Sequence, residues 1–309
     1  MGKLWILGEA LIDFVPTEAE GEHMFAPRCG GSPYNAAIAA ARQGADTSFL
    51  GALSNDFFGE MLTAKLKEDG VDVTVAEKSA HPTTLAFVDF QGDEPRYAFF
   101  NRQSSTQLMA PDPALISPAS ADILHVGSIS LIDNPGANNI RDFVTTMSSD
   151  MLVSVDPNAR PSMTEDPDDW RQRIFSILNV ANIAKLSDED LEYLSPAASP
   201  DDFAARLLAD GLGLVVITQG KEGVLGYTKN GKVHAPARLG ELVDTVGAGD
   251  TVMGTLLASL QETNAATSLD ELEAGELAEI LNRCMVAACL NCAQSGCNPP
   301  TRAETFAKI

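Results

Sequence analysis

Positive charge is scarce in this sequence. Its 309 residues carry 21 lysines and arginines against 43 aspartates and glutamates, a formal net charge of −22. Such a surface repels phosphate backbones and anionic lipid, which argues against nucleic acid or a membrane as partner. Long apolar runs are missing too: no stretch reaches the roughly 18 apolar residues of a membrane-spanning helix. The opening MGKLWILGEALIDF has too short an apolar run, and no small-residue cleavage site, for a secretory signal, so a cytoplasmic protein is expected. Cysteines are few and odd in number, and Cys29, Cys284, Cys289, Cys292 and Cys297 do not suggest a disulfide framework. Cys289 and Cys292 form a C-x-x-C, but His23, His81, His125 and His234 lie far off in sequence and no second ligand pair completes a zinc site. Small, buried helix residues are the simpler reading of that pair. Three motifs are absent as well: G-x-G-x-x-G, G-x-x-x-x-G-K-[ST] and G-x-S-x-G. Dinucleotide binding, P-loop chemistry and the nucleophile-elbow hydrolases thereby lose their usual support.

What is present is a globular composition, 45% hydrophobic and 21% charged. The length allows one large α/β domain or two small ones. No repeat and no Pro/Gly/Ser-rich linker divides the chain, so one domain over residues 1–309 is expected. Apolar, β-branched runs at Leu4–Leu7, Ile123–Val126, Leu152–Val155, Ala181–Leu186 and Leu214–Thr218 read as strands. Helical spacing appears over Phe57–Asp69, 168–179 and 200–210. This alternation implies an α/β fold whose parallel sheet is covered on both faces. Two segments, about 10–29 and 83–102, instead alternate apolar and polar residues, as half-buried antiparallel strands do, with Gly92-Asp93-Glu94 as a turn. They are expected to form a small sheet over one edge of the core, a lid. Lys229-Asn230-Gly231 reads as a tight hairpin, because Asn-Gly tolerates the positive φ of such a turn.

The strongest motif is Asp244-Thr245-Val246-Gly247-Ala248-Gly249-Asp250, followed by an amphipathic stretch carrying Val252, Leu256, Leu257 and Leu260. A glycine-rich loop opening a helix is an anion site, since its amides and the helix dipole both face the ligand. An acidic chain that binds phosphate needs such a device. Asp250 would repel that ligand unless it has another task, and deprotonating an attacking hydroxyl is one, worth about 10²–10⁴ in rate. The bland alternative is an acid that merely favours the helix dipole. The second motif is Gly30-Gly31-Ser32-Pro33-Tyr34-Asn35-Ala36-Ala37. Pro33 suits a first helical turn, the alanines make a thin helix, and Asn35 offers a donor and an acceptor beside glycines that admit a small polar ligand.

Together these residues resemble the ribokinase-like, or PfkB, carbohydrate kinases, and the fructokinase branch in particular. GGSPYNAAIAAARQGADTSFLGALSNDFFG resembles the N-terminal signature of that family and DTVGAGDTVMG its C-terminal signature; DPNARP at 156–161, TQGKEG at 218–223 and SGCNPPT at 295–301 extend the likeness over nearly the whole chain. The resemblance implies a three-layer α/β/α core with a mainly parallel sheet, a β lid, and ATP-dependent phosphorylation of a sugar hydroxyl with Mg²⁺. It makes Asp250 the base and Gly247, Ala248 and Gly249 the loop that stabilises the transferred phosphoryl group. Asp13, Gly30, Gly31, Asn35 and Arg160 correspond to sugar-side positions. Lys185, Thr218, Gly220 and Gly223 correspond to the nucleotide side, which Gly247 and Gly249 share. Asp244, the backbone at Val246, and Gly296 match a monovalent-cation region, which makes K⁺ a candidate. The family's N-x-x-E appears as Ser187-Asp188-Glu189-Asp190, leaving Asp190 as the candidate carboxylate for magnesium through water. Asn101 stands where relatives acting on keto-deoxy-gluconate carry arginine, with Arg102 one place later, which argues against an acidic sugar. Fructose is the expected substrate; 2-keto-3-deoxygluconate, ribose or a nucleoside are alternatives, and a non-catalytic sugar- or nucleotide-binding regulator is the contrasting class. The resemblance also implies dimers formed through the lid, whose strand edges are open to pairing.

Overall fold

Successive residues of the first strand face opposite ways, and that period of two builds the molecule. Leu4 and Ile6 enter one buried apolar cluster, and Trp5 and Leu7 enter a second. The computed structural model describes residues 2–19, 22–91, 94–263 and 269–309. Its strands are β1 (Leu4–Leu7), β2 (Leu11–Ala19), β3 (Glu22–Gly30), β4 (Thr47–Phe49), β5 (Ala52–Ser54), β6 (Glu77–Ser79), β7 (Thr84–Gln91), β8 (Glu94–Phe100), β9 (Ile123–Gly127), β10 (Leu152–Asp156), β11 (Ile183–Ser187), β12 (Leu214–Thr218), β13 (Val224–Thr228) and β14 (Gly231–Ala235). The helices are α1 (Ser32–Arg42), α2 (Phe57–Glu68), α3 (Gly136–Met147), α4 (Pro167–Leu178), α5 (Asp188–Leu194), α6 (Pro200–Ala209), α7 (Ala248–Glu262), α8 (Ala274–Cys292) and α9 (Arg302–Phe306).

The central sheet has the order β14-β13-β12-β11-β10-β9-β1-β4. It is parallel from β4 through β12, with β13 and β14 antiparallel at one edge. Helices α1, α2, α7 and α8 pack on one face and α3 to α6 on the other, giving the expected three layers. Local chemistry starts these helices where the sequence suggests. Asp166 and Ser199 cap α4 and α6, each just before a proline in the first turn. The alanines of α1 let it meet α7 closely: a Cβ at Gly254 of α7 would lie 2.6 Å from Ala39 Cβ and 2.5 Å from Ala36 O.

The lid is the four-stranded sheet β3-β2-β7-β8. Its strands are not all antiparallel as expected: β2 and β3 form one hairpin, β7 and β8 another, and β2 lies parallel to β7, with Leu11 opposite Thr84. Parallel pairing needs a long crossover, and the core segment between the hairpins provides it. Gly92 and Asp93 of the expected 92–94 turn lie outside the described residues. At the other edge, Thr228 pairs with Gly231 across a two-residue turn, and of the three expected turn residues only Gly231 has positive φ. The primed turn implied by Asn-Gly is therefore replaced, because the Asn230 side chain donates instead to Asp270 O (3.0 Å) and Leu272 O (3.2 Å).

Candidate active site

The carboxyl edge of a parallel sheet is where chains of this class gather ligands, since the strand-to-helix turns open there. Here the turn after β10, Lys185 of β11, the helix start after Gly30-Gly31 and the first turn of α7 lie around Asp250. Gly247 is the N-cap of α7 at φ 74°, a left-handed conformation that favours glycine. The Ala248 amide is spent on Thr245 O (3.2 Å). Among the described residues no group accepts the amides of Gly247, Gly249 or Asp250, so these three are open, while the Ala248 amide closes the turn.

Asp250 is buried in the first turn of α7 and clamped from α1. Ser32 Oγ donates to its Oδ1 (2.7 Å) and Asn35 Nδ2 donates to its Oδ2 (2.8 Å). Burial raises its pKa, while the bonds from Asn35 and Ser32 and the charges of Lys185 and Arg160 oppose the rise. Asn35, read from sequence as a sugar contact, also holds the Asp250 carboxylate. Ser32 and Glu9 were not legible as site residues. Glu9 is buried; its Oε1 accepts Ser32 N (3.1 Å) and its Oε2 accepts Ser130 N (3.1 Å). Gly31 closes this turn at φ 109°, where a Cβ would stand 2.8 Å from Glu9 O.

Beneath the loop lies a buried ion pair. Lys185 Nζ of β11 donates to Asp156 Oδ2 of β10 at 2.6 Å, with side chains 5% and 1% exposed. Burial would strip the Lys185 proton, but the charges of Asp156, Asp190 and Asp250 and the bond to Asp156 hold its pKa above that of a free lysine. The sequence groups Lys185 with the nucleotide loop; in the fold it stands under Gly249, whose Cβ would be 3.3 Å from Nζ. Arg160 caps a short turn after β10, its Nη1 bound to Asn158 Oδ1 (2.7 Å) and to Ala159 O (2.9 Å), and its charge is felt by both Asp13 and Asp250. Asp190, the candidate for magnesium through water, is engaged with backbone. Its Oδ1 accepts Ala159 N (2.6 Å) and its Oδ2 accepts Ser187 N (2.8 Å), so it closes a capping box on α5 and pins the Arg160 loop.

Asp13 reaches the cleft from the lid and lies against Gly30. Among the described residues nothing donates to its carboxylate. Burial and the charge of Asp250 push it up to about 6, with Arg160 opposing. Asn101 is buried at the end of β8, bound to Thr84, Ser104 and Asp133, while Arg102 is exposed.

Asp244, Val246 and Gly296 do come together. Asp244 accepts Val246 N (3.0 Å) and Gly296 N (2.8 Å). The Val246 carbonyl is held by Asn291 Nδ2 (2.9 Å), and Asn291 Oδ1 accepts Asn298 N (2.8 Å). Asn291 is fully buried and ties the C-terminal segment to the anion loop, a role its sequence neighbourhood does not signal. Thr218, Gly220 and Gly223 form the turn after β12, closed by Gln219 N to Gly223 O (2.8 Å). Thr218 pairs with Ser187 in the next strand, two residues beyond Lys185, yet no hydrogen bond among the described residues joins this turn to Asp250.

The topology sets one buried carboxylate in a glycine-rich loop at the sheet's carboxyl edge and a second on the small sheet. The model of the pfkB family of carbohydrate kinases matches residues 1–304, and the chain belongs to that family. A fructokinase from Rhizobium leguminosarum bv. trifolii is 37% identical over 270 residues, 85% of this chain and 83% of that protein. Among solved structures, the fructokinase of Xylella fastidiosa with bound ATP aligns with a TM-score of 0.88 at 25% identity, over 99% of this chain and 97% of its own. The Vibrio cholerae O395 fructokinase bound to fructose, ADP and calcium aligns at 0.86 and 26%, over 99% and 98%.

Proposed function

We propose that this chain is an ATP-dependent fructokinase, converting D-fructose and ATP to D-fructose 6-phosphate and ADP. The observation that carries the reading is the Asp250 carboxylate, buried, held through both oxygens and flanked by open amides. Asp250 accepts the proton of the sugar 6-hydroxyl, whose oxygen forms the new bond to the γ-phosphorus. The bond from that phosphorus to the bridging oxygen breaks, and ADP leaves with the electron pair. The amides of Gly247, Gly249 and Asp250 and the cations Lys185 and Arg160 face the charge on the group in transit. Asp13 takes hydrogen bonds from sugar hydroxyls, and the Thr218–Gly223 turn lies on the nucleotide side. The fructose and ADP of the Vibrio structure and the ATP of the Xylella structure support both substrates. An inward Asn101 and an outward Arg102 favour a neutral sugar.

Among the described residues no cluster of three or more His, Cys, Asp or Glu is built for a metal. Magnesium therefore fits as an ion carried on the nucleotide phosphates, where it neutralises their charge. The oxygens of Asp244 and Val246 each keep a second lone pair, so that turn can take a monovalent cation such as K⁺. Five free thiols accord with a reducing cytoplasm, and no helix among the described residues is long and apolar enough to cross a membrane. On the lid face opposite Asp13, Phe14 stacks on Phe87 at 4.6 Å, with Phe25 46% and Phe100 61% exposed. A second copy of this chain is the partner that such an open aromatic face, bordered by free strand edges, suits; a monomeric mass by light scattering would count against it.

The test is Asp250→Asn, assayed by coupled ADP release and by calorimetry. Turnover is expected to fall about 10²–10⁴-fold while fructose still binds. Near-normal turnover would sink the mechanism. A panel of fructose, 2-keto-3-deoxygluconate, ribose and a nucleoside tests the substrate; a gluconate derivative outranking fructose would overturn it.

A further inference from the structure

A buried carboxylate serves as a base only if it stays ionised and aimed. Asp250 is surrounded by charges that pull in both directions. Lys185 of β11 and Arg160 of the loop after β10 favour its charge, whereas Asp13 of the lid and Asp156 of β10 oppose it, and the Cys297 thiol on the C-terminal segment, pushed up by burial and by Asp250, stays neutral beside it. Two short neutral bonds from α1 act on the carboxylate itself, one on each oxygen. Asn35 belongs to the glycine-turn motif, but the bond from Ser32 is not implied by any motif.

Ser32 is fixed from both ends. Its amide is held by Glu9 Oε1 at 3.1 Å, and Glu9 is itself anchored by Ser130 N, so the first turn of α1 cannot drift from the sheet edge. Its hydroxyl reaches Asp250 Oδ1 at 2.7 Å. An ionised carboxylate only accepts, so the hydroxyl must donate to it. Each oxygen of Asp250 thereby spends one lone pair on α1 and keeps the other for the incoming proton.

We propose that Ser32 is a positioning residue for this reaction, its hydroxyl orienting Asp250 and holding it in the ionised form that accepts the substrate proton. The inference rests on Asp250 being the base. It assigns the Gly-Gly turn a second duty: besides admitting the sugar, it delivers a donor to the base.

The experiment is the pH profile of kcat at saturating fructose and ATP for the native chain, Ser32→Ala and Ser32→Thr, with Asp250→Asn alongside. A hydrogen bond to a charged group is worth enough to move a pKa by about one unit. Because the bond lowers the Asp250 pKa, its loss raises it. The acid limb of Ser32→Ala is expected about one pH unit higher, so that kcat at a given pH on that limb is down roughly tenfold, with KM for fructose and ATP within about twofold. Ser32→Thr, which keeps the hydroxyl, should return the limb toward its native place. A purely structural role would lower kcat without moving the limb. An unmoved limb in Ser32→Ala, with Asp250→Asn inactive, overturns the role of Ser32 alone. Near-normal turnover of Asp250→Asn overturns the reading beneath it.

Discussion

The two carboxylates that frame the cleft are held in opposite ways. Asp250 sits on the core, with both oxygens occupied before any substrate arrives and an ion-paired lysine below. Asp13 sits on the lid, with no donor among the described residues, and burial and Asp250 have pushed it up to about 6. A preorganised base costs no rearrangement at the moment of reaction. An unsatisfied carboxylate is the reverse: in the proposed reaction its partners are the sugar hydroxyls, and its own desolvation becomes a preference for ligand. On the proposed reading the core half reacts and the lid half selects.

The sharpest way to break this contrast is to exchange the consequences of damage on the two sides. Asp250→Asn, with its expected 10²–10⁴-fold loss of turnover, should leave sugar affinity nearly untouched. Lys185→Met strips Asp156 of the one side-chain partner it has among the described residues and leaves a buried charge uncompensated, which is expected to cost about 3–5 kcal/mol of stability in denaturant unfolding. Asp13→Asn should show the mirror image. It is expected to raise KM for fructose about 10–100-fold, the worth of one or more bonds to a charged acceptor, with a smaller change in kcat. A kcat collapse there equal to that of Asp250→Asn would erase the distinction.

The subtlest expectation concerns pH. The Asp13 pKa is raised in the folded protein above its ordinary value near 3.8. Its protonated form therefore favours folding below about pH 4, and that contribution is lost as pH rises through about 6. Asp13→Asn should have an unfolding midpoint equal to or above that of the native chain at pH 7, and the difference should close on acidification to pH 4. Fructose affinity of the native chain, measured by calorimetry, should fall as pH drops through 6, because the carboxylate that accepts its hydroxyls becomes protonated.

Much of this molecule is legible in local patterns. Helix starts at Pro167 and Pro200, the thin helix of alanines after Pro33, and the strand alternation of Leu4–Leu7 follow from side-chain shape and period alone. The Gly247–Asp250 loop is likewise readable, because a glycine-rich turn before an amphipathic helix has few other uses. Other features turn on contacts between residues distant in sequence. Nothing near Ser32, Glu9 or Asn291 announces that the first donates to Asp250, that the second anchors the first, or that the third bridges Val246 to Asn298. Asn35 and Asp190 are visible as motif residues, but what each holds is decided by packing: α1 against α7 in one case, α5 against the Arg160 loop in the other. Hydrophobic period and turn chemistry act over a few residues, so sequence carries them. A hydrogen bond between Ser32 and Asp250 exists only once the sheet has set two helices side by side.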